Sequence, residues 1–310
     1  MILSVYFDTI KGDLIILYVW ILKEDMMDNK EVSRLKEFAL EIRLNAVKSL
    51  HNLGFGHYGG SLSIVETLAV LYGEVMNVDP KNPDKADRDY FILSKGHAGP
   101  ALYSALALKG YFPMDMLMTL NGNGTKLPSH ADRTLTPGVD MTTGSLGQGI
   151  SAATGVAKGI KMNKTAQKVY AIVGDGELNE GQCWEAVQFA ANQKLDNLFV
   201  FIDNNKKQLD GFASEIGGEQ NFSEQFKAFG FDTRTVDGAD VEAIYDAIVK
   251  AVKVTDKPHA IILDTVKGQG FKYLEEKKDN HHLRPTTEEV GLIGELIVQL
   301  EKELEGMKNA

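Results

Sequence analysis

The chain has 310 residues, of which 44% are hydrophobic and 25% charged. That is enough to bury a large core, so disorder is not the default reading and one α/β domain of this size is ordinary. A formal net charge of −10 and a pI near 5.3 argue against coating nucleic acid or an anionic membrane, since both need a basic surface, and an anionic ligand would need local donors or a metal.

Along the chain, residues 1–26 read as an N-terminal appendage. The apolar run Leu14 to Leu22 falls well short of the roughly 20 residues that span a bilayer, and Asp8 and Lys11 precede it without a signal-peptide layout. Met26 or Met27, followed by an amphipathic stretch from Glu31, makes a more ordinary start to a domain over 27–310. Val32 to Leu53 reads as a helix, and Ser63 with Glu66 resembles a capping box that opens a helix through Tyr72. Strand-like runs then alternate with helical ones: strand Tyr90 to Leu93, helix Gly147 to Lys161, strand Val169 to Val173, helix Glu180 to Gln193. Strands Leu198 to Ile202 and Thr233 to Val236, helix Val241 to Val254, strand Ala260 to Val266 and a charged amphipathic helix from Thr286 to Glu305 follow. The apolar runs predict strands buried on both faces, hence a doubly wound, mostly parallel sheet flanked by helices. Cys183 is the single cysteine; it permits no intrachain disulfide and fits a reducing, cytoplasmic compartment.

Each strand is followed by polar or glycine-rich residues: Ser94-Lys95-Gly96-His97, Gly174-Asp175-Gly176, Asp203-Asn204-Asn205, Asp237-Gly238 and Lys267-Gly268-Gln269-Gly270. Open parallel sheets bind ligands at the carboxyl ends of their strands, so these termini predict one shared site, although any one of them alone is also a tight turn. Asp175 and Asn205 close adjacent predicted strands and can face one ion. A carboxylate, an amide oxygen and a backbone carbonyl are hard donors suited to Mg²⁺, which keeps phosphate oxygens and water in its octahedron. The two glycines leave room for a diphosphate to approach the backbone.

The Gly-Asp-Gly motif with its paired asparagines resembles the thiamine-diphosphate motif of the transketolase family, and further matches run from about Leu53 to His281. The resemblance implies that Asp175, Asn205 and the Lys207 carbonyl are Mg²⁺ ligands and that Gly176 lies against the cofactor diphosphate. Gly56-His57-Tyr58-Gly59-Gly60-Ser61 is similar to the loop whose histidine lines the substrate channel, with Tyr58 in place of the usual proline. Ser94-Lys95-Gly96-His97-Ala98 is similar to the segment whose histidine contacts the diphosphate. Gly144-Ser145-Leu146-Gly147-Gln148-Gly149 resembles the loop over the cofactor rings, with serine where many relatives have proline. By the same resemblance His130 contacts the donor sugar's hydroxyls, and His281 reaches both diphosphate and substrate. The implied reaction moves a two-carbon ketol unit between sugar phosphates, with His57, His130 and His281 shuttling protons. It also implies a partner: a C-terminal subunit carrying the pyrimidine-binding domain, in a two-plus-two assembly.

A nucleotide-dependent dehydrogenase or phosphotransferase is disfavoured because Glu177-Leu178-Asn179 lacks the third fingerprint glycine and no Walker sequence occurs. Another thiamine-diphosphate enzyme, such as a deoxyxylulose-phosphate synthase or a 2-oxoacid dehydrogenase component, and a non-catalytic cofactor-binding protein remain as alternatives.

Overall fold

A computed structural model describes residues 27–309; the expected appendage of residues 1–26 lies outside the described residues. Five strands, β1 (Tyr90–Leu93), β2 (Val169–Gly174), β3 (Leu198–Asn204), β4 (Asp232–Asp237) and β5 (His259–Asp264), form one sheet in the order β1-β2-β3-β5-β4. Every pairing is parallel. Side chains on a strand alternate between faces, and here the alternation sorts the core into two layers. Phe91, Tyr170, Ile172, Phe199, Phe201 and Ile261 enter one cluster; Ile92, Ala171, Val173, Val200, Ile202 and Ala260 enter the other.

The first layer is covered by α1 (Asn29–Leu53), α2 (Tyr58–Leu62), α3 (Val65–Val70), α4 (Gly99–Lys109), α9 (Val241–Val252) and α11 (Thr287–Lys308), and the second by α5 (Gln148–Asn163), α6 (Gly181–Asn192) and α8 (Phe222–Phe229). Two short helices, α7 (Ala213–Gly217) and α10 (Lys272–Glu276), lie in the connections. The long outer helices have reciprocal caps, Asp28 with Glu31 on α1 and Thr286 with Glu289 on α11, which satisfy end donors that the helix itself cannot. Among the described residues no helix is long and apolar enough to cross a membrane.

Two expectations need correction. Ser63 does not cap a helix: it follows α2, and its hydroxyl donates to Asp203 Oδ2 at 2.7 Å, while Glu66 pairs with Arg43 at 2.5 Å. The buried carboxylates outcompete the local box. Nor is β4 buried on both faces. Its sequence Asp-Thr-Arg-Thr-Val-Asp leaves it half-buried to exposed, as an edge strand paired only with β5 requires.

Candidate functional site

The strand ends converge as their register dictates. Gly174 pairs with Asp203 across β2 and β3, so the residues beyond, Asp175 and Asn205, leave the sheet side by side. Asp175 is buried, and its two oxygens accept backbone N–H groups from Gly176 (2.7 Å) and Lys206 (2.6 Å). Burial, then the neighbouring Asp203, raises its carboxyl to about 6; an ionised carboxylate there calls for a cation. Asn205 Nδ2 donates to Asp203 Oδ2 at 2.6 Å, which fixes the amide orientation and leaves Oδ1 as the acceptor. The Lys207 side chain runs away from this point, donating to the carbonyls of Glu275 (2.8 Å) and Lys277 (3.0 Å), while its own carbonyl accepts from Lys267 Nζ at 3.0 Å.

These groups line a cavity of about 570 Å³ together with Lys95, His97, Leu146, Lys267 and His281. Beside it the histidines cluster. The His57 ring lies 5.2 Å from His97, 5.8 Å from His130, 5.3 Å from His281 and 4.7 Å from His282, centroid to centroid. Burial, then His282, His130 and Lys267, holds His57 down to about 4; burial, then Lys267, holds His281 down to about 3. Burial also lowers His97 and His130. Neutral imidazoles result at pH 7, able to give or take a proton.

The sequence matches the family described as transketolase, thiamine diphosphate binding domain, over residues 35–295. The chain belongs to the transketolase family. It is therefore the thiamine-diphosphate-binding part of a transferase. It is 47% identical over 262 residues to the 6-deoxy-6-sulfo-D-fructose transketolase subunit SqwG of Clostridium sp. (strain MSTE9), covering 84% of this chain and 94% of that protein. It is 40% identical over 237 residues to an apulose-4-phosphate transketolase subunit of Actinobacillus succinogenes, covering 76% of this chain and 86% of that one. The transketolase of Campylobacter jejuni superposes with a TM-score of 0.77 at 28% identity, over 91% of this chain and 48% of that structure. The chain thus spans about half the length of the solved transketolases it matches.

For a transketolase-family domain the donor set fits the expected groups. One buried carboxylate, one oriented amide oxygen and one carbonyl suit a hard divalent ion, and among the described residues no group of three or more His, Cys, Asp and Glu offers a rival metal site. Lys267, pulled down to about 8 by burial, and His97 give the cavity donors for an anion. Gly176 packs tightly: a Cβ there would stand 2.8 Å from Gln208 Cβ. Gly144 and the exposed Ser145 lie in the loop beside His130 rather than in the cavity wall, whereas Leu146 lines it. Tyr58 is the first residue of α2, a position that also suits proline for its fixed φ, and its N–H donates to the Gly56 carbonyl at 3.1 Å.

The expectation of five converging strand ends is corrected to four. Asp237-Gly238 stays outside, because β5 lies between β4 and β3. His259 is structural: its ring nitrogens face Asp232 and the Asp196 carbonyl, and it packs on Phe199. Sequence reasoning also passed over three buried groups. Asp203 is the common partner of Lys95 (2.5 Å), Ser63 (2.7 Å), Asn205 (2.6 Å) and Thr265 (2.5 Å). Burial alone would raise its carboxyl, yet Lys95 and these donors hold it below the usual range. Lys267 bridges the Lys207 carbonyl and His281 Nδ1. Glu177 accepts from Ser94 (2.5 Å), Gly147 N–H (2.8 Å) and Gly174 N–H (3.0 Å), tying the 144–149 loop to the ends of β1 and β2.

The depressed histidines make a pH prediction. Unfolded, His57 titrates at its ordinary 6.5, and folded at about 4, so between those values the unfolded chain binds more protons and His57 stabilises the fold less as pH falls. Asp89 and Asp175, raised to about 6 by burial first, act in the opposite direction, so a comparison isolates the histidine. In urea unfolding, wild type is expected to lose ground relative to His57→Gln on going from pH 7 to pH 5. A gap independent of pH would refute a neutral, buried His57.

Proposed function

We propose that the chain is the N-terminal subunit of a two-chain transketolase, which moves a two-carbon ketol unit from a ketose to an aldose using thiamine diphosphate and Mg²⁺. The observation that carries this reading is the pairing of Asp175 and Asn205 at adjacent strand ends beside four neutral histidines, in a chain whose near-full-length relatives are named transketolase subunits. Asp175, Asn205 Oδ1 and the Lys207 carbonyl hold the cation. Gly176 lies against the diphosphate, and His97, Lys267 and His281 donate to it. Gly144, Ser145 and Leu146 flank the cofactor rings. Bound thiamine diphosphate supplies the carbanion chemistry. His57 and His130 bind the sugar hydroxyls and move their protons, with His281 between sugar and diphosphate.

The partner is a C-terminal subunit carrying the pyrimidine-binding domain, and two copies of each chain make the assembly. Relatives named for 6-deoxy-6-sulfo-D-fructose and apulose-4-phosphate favour a sugar with an anionic end, phosphate or sulfonate. A buried free thiol at Cys183 suits the cytoplasm.

The direct test is Asp175→Ala. Partners one shell beyond a metal typically contribute 10- to 100-fold to its affinity, so loss of a ligand is expected to weaken Mg²⁺-dependent thiamine-diphosphate binding by at least about 10²-fold with circular dichroism unchanged. Undiminished affinity by calorimetry would sink the assignment. The histidines should divide by role: His57→Ala and His130→Ala are expected to lower ketol transfer by about 10²- to 10⁴-fold with little change in cofactor affinity, whereas His97→Ala weakens cofactor binding too. Wild-type turnover by either of the first pair would remove that residue from the proton path.

A further inference from the structure

Lys267-Gly268-Gln269-Gly270, the turn that follows β5, joins both histidine-bearing segments. Gly268 N–H donates to the Gly59 carbonyl at 3.1 Å, just beyond His57, and Asn280, immediately before His281, donates from Nδ2 to the Lys267 carbonyl at 2.9 Å. The Lys267 side chain enters the cavity, where Nζ reaches the Lys207 carbonyl at 3.0 Å and His281 Nδ1 at 2.9 Å. An ammonium has donors and no acceptor. His281 Nδ1 must therefore accept, and the neutral ring carries its proton on Nε2.

The turn is gripped from outside the cavity. Arg43 on α1 and Glu66 on α3 pair at 2.5 Å, with side chains 10% and 9% exposed. The second Glu66 oxygen accepts from Gln269 Nε2 at 3.0 Å, and Arg43 Nε donates to the Gln269 carbonyl at 3.3 Å, so the pair holds Gln269 by side chain and backbone together. The fit is close: Gly270 has a φ of +82°, and a Cβ there would stand 2.5 Å from Arg43 Nε. None of Arg43, Glu66 and Gln269 lines the cavity. A buried ion pair is often no more stabilising than apolar residues of the same volume. What apolar residues could not do here is fix the turn at two points.

We propose that Arg43, Glu66 and Gln269 are positioning residues: they fix the 267–270 turn so that the Lys267 ammonium stays against the Lys207 carbonyl and His281, and they thereby hold His281 as its Nε2–H tautomer. With Nδ1 committed to Lys267, the nitrogen left to donate to a ligand is Nε2. The three residues act on the ligand only through Lys267 and His281. What the cavity binds rests on the transketolase reading above; the tautomer of His281 does not.

In the full chain labelled with ¹⁵N-histidine and free of cofactor, the His281 imidazole, assigned by its loss in His281→Gln, is expected to show one protonated and one bare nitrogen at pH 7. Glu66→Gln sets an amide donor against either Arg43 or the Gln269 amide, and Gln269→Ala removes the side-chain grip while leaving the Arg43–Glu66 pair in place. Both are expected to move the two nitrogen shifts toward a tautomer average and to weaken calorimetric binding of thiamine diphosphate with Mg²⁺ by about 10-fold, the scale of a partner that orients a ligand without touching what it binds. Glu66→Gln with Gln269→Glu exchanges donor and acceptor and should recover both readouts. A His281 spectrum and an affinity unchanged in Gln269→Ala overturn the proposal. So does a double variant that regains its stability in urea without regaining the tautomer, since the three residues then serve packing alone. No thiamine-diphosphate binding by the wild-type chain, combined with the proposed partner, would instead refute the transketolase reading and leave the tautomer comparison standing.

Discussion

Combined with the proposed C-terminal partner chain, the protein is expected to pass from no measurable ketol transfer to full turnover. The chain spans about half the length of the solved transketolases it matches, while the relatives it covers at 94% and 86% are named as subunits. In the proposed reading its own side chains account for the cation, the diphosphate and the sugar hydroxyls. None of the proposed site residues accounts for the carboxylate that, by the family resemblance, must face the cofactor pyrimidine, and without that group loss of the thiazolium proton is unassisted. Xylulose 5-phosphate and ribose 5-phosphate, offered to each chain alone and to the mixture, should yield sedoheptulose 7-phosphate only from the mixture, with light scattering reporting the larger assembly. Turnover by the isolated 310-residue chain at the rate of the mixture would end the two-subunit proposal.

Lys95→Met should be among the most damaging single substitutions in the molecule. The Lys95–Asp203 pair is about as buried as an ion pair can be, with side chains 1% and 0% exposed, and removing one partner strands a charge at a cost of about 3–5 kcal/mol. Lys95 Nζ also donates to the Gly60 carbonyl at 2.7 Å, so the His57 loop loses an anchor. Asp203 would then draw harder on Ser63, Thr265 and Asn205, and Asn205 is the residue whose amide is proposed to face the cation. Urea denaturation should show the stability loss, and cofactor affinity should fall with it. Lys95→Met with Asp203→Asn should recover part of the stability, because the uncompensated charge is gone. If the single variant lies within about 0.5 kcal/mol of wild type, the range of an ordinary surface substitution, Asp203 is not held as an ion.

Much of this arrangement is legible in the sequence because its signals are local. Tyr90–Leu93 is a four-residue apolar run with the same bounds in the fold, and Asp175 and Asn205 announce themselves by following two such runs. Gly99–Lys109 and Phe222–Phe229 escape notice: the first is apolar all round, so no stripe marks it, and the second is only two turns long. Lys95 and Asp203 are harder for a different reason. Each looks like an ordinary polar residue at a strand end, and what makes them central is their meeting across 108 positions. The stretch between His130 and Thr143 likewise gives no helical or strand signal, yet Thr143 pins that loop to β1 by donating to the Leu93 carbonyl at 2.7 Å. The Ser63–Glu66 spacing misleads because a capping box and a pair of buried partners share one pattern, and only tertiary context distinguishes them.

Gly56 and Leu283 exchange both backbone hydrogen bonds, each at 2.9 Å, and this pairing has a consequence for the birth of the protein. During translation, residues on the order of 200 positions apart are joined only after the later one emerges, roughly 10 s or more after the earlier one at ordinary elongation rates. Until then His57 has no His281 or His282 beside it, and the Gly59 carbonyl lacks the Gly268 N–H that it accepts at 3.1 Å. The sheet's first three strands and their helices can condense meanwhile, since their contacts are nearer in sequence. The cavity is thus a late product of synthesis, and a nascent chain cut short before Leu283 carries Asp175 and Asn205 without the Gly56–Leu283 hydrogen bonds that fix the His281 segment beside them.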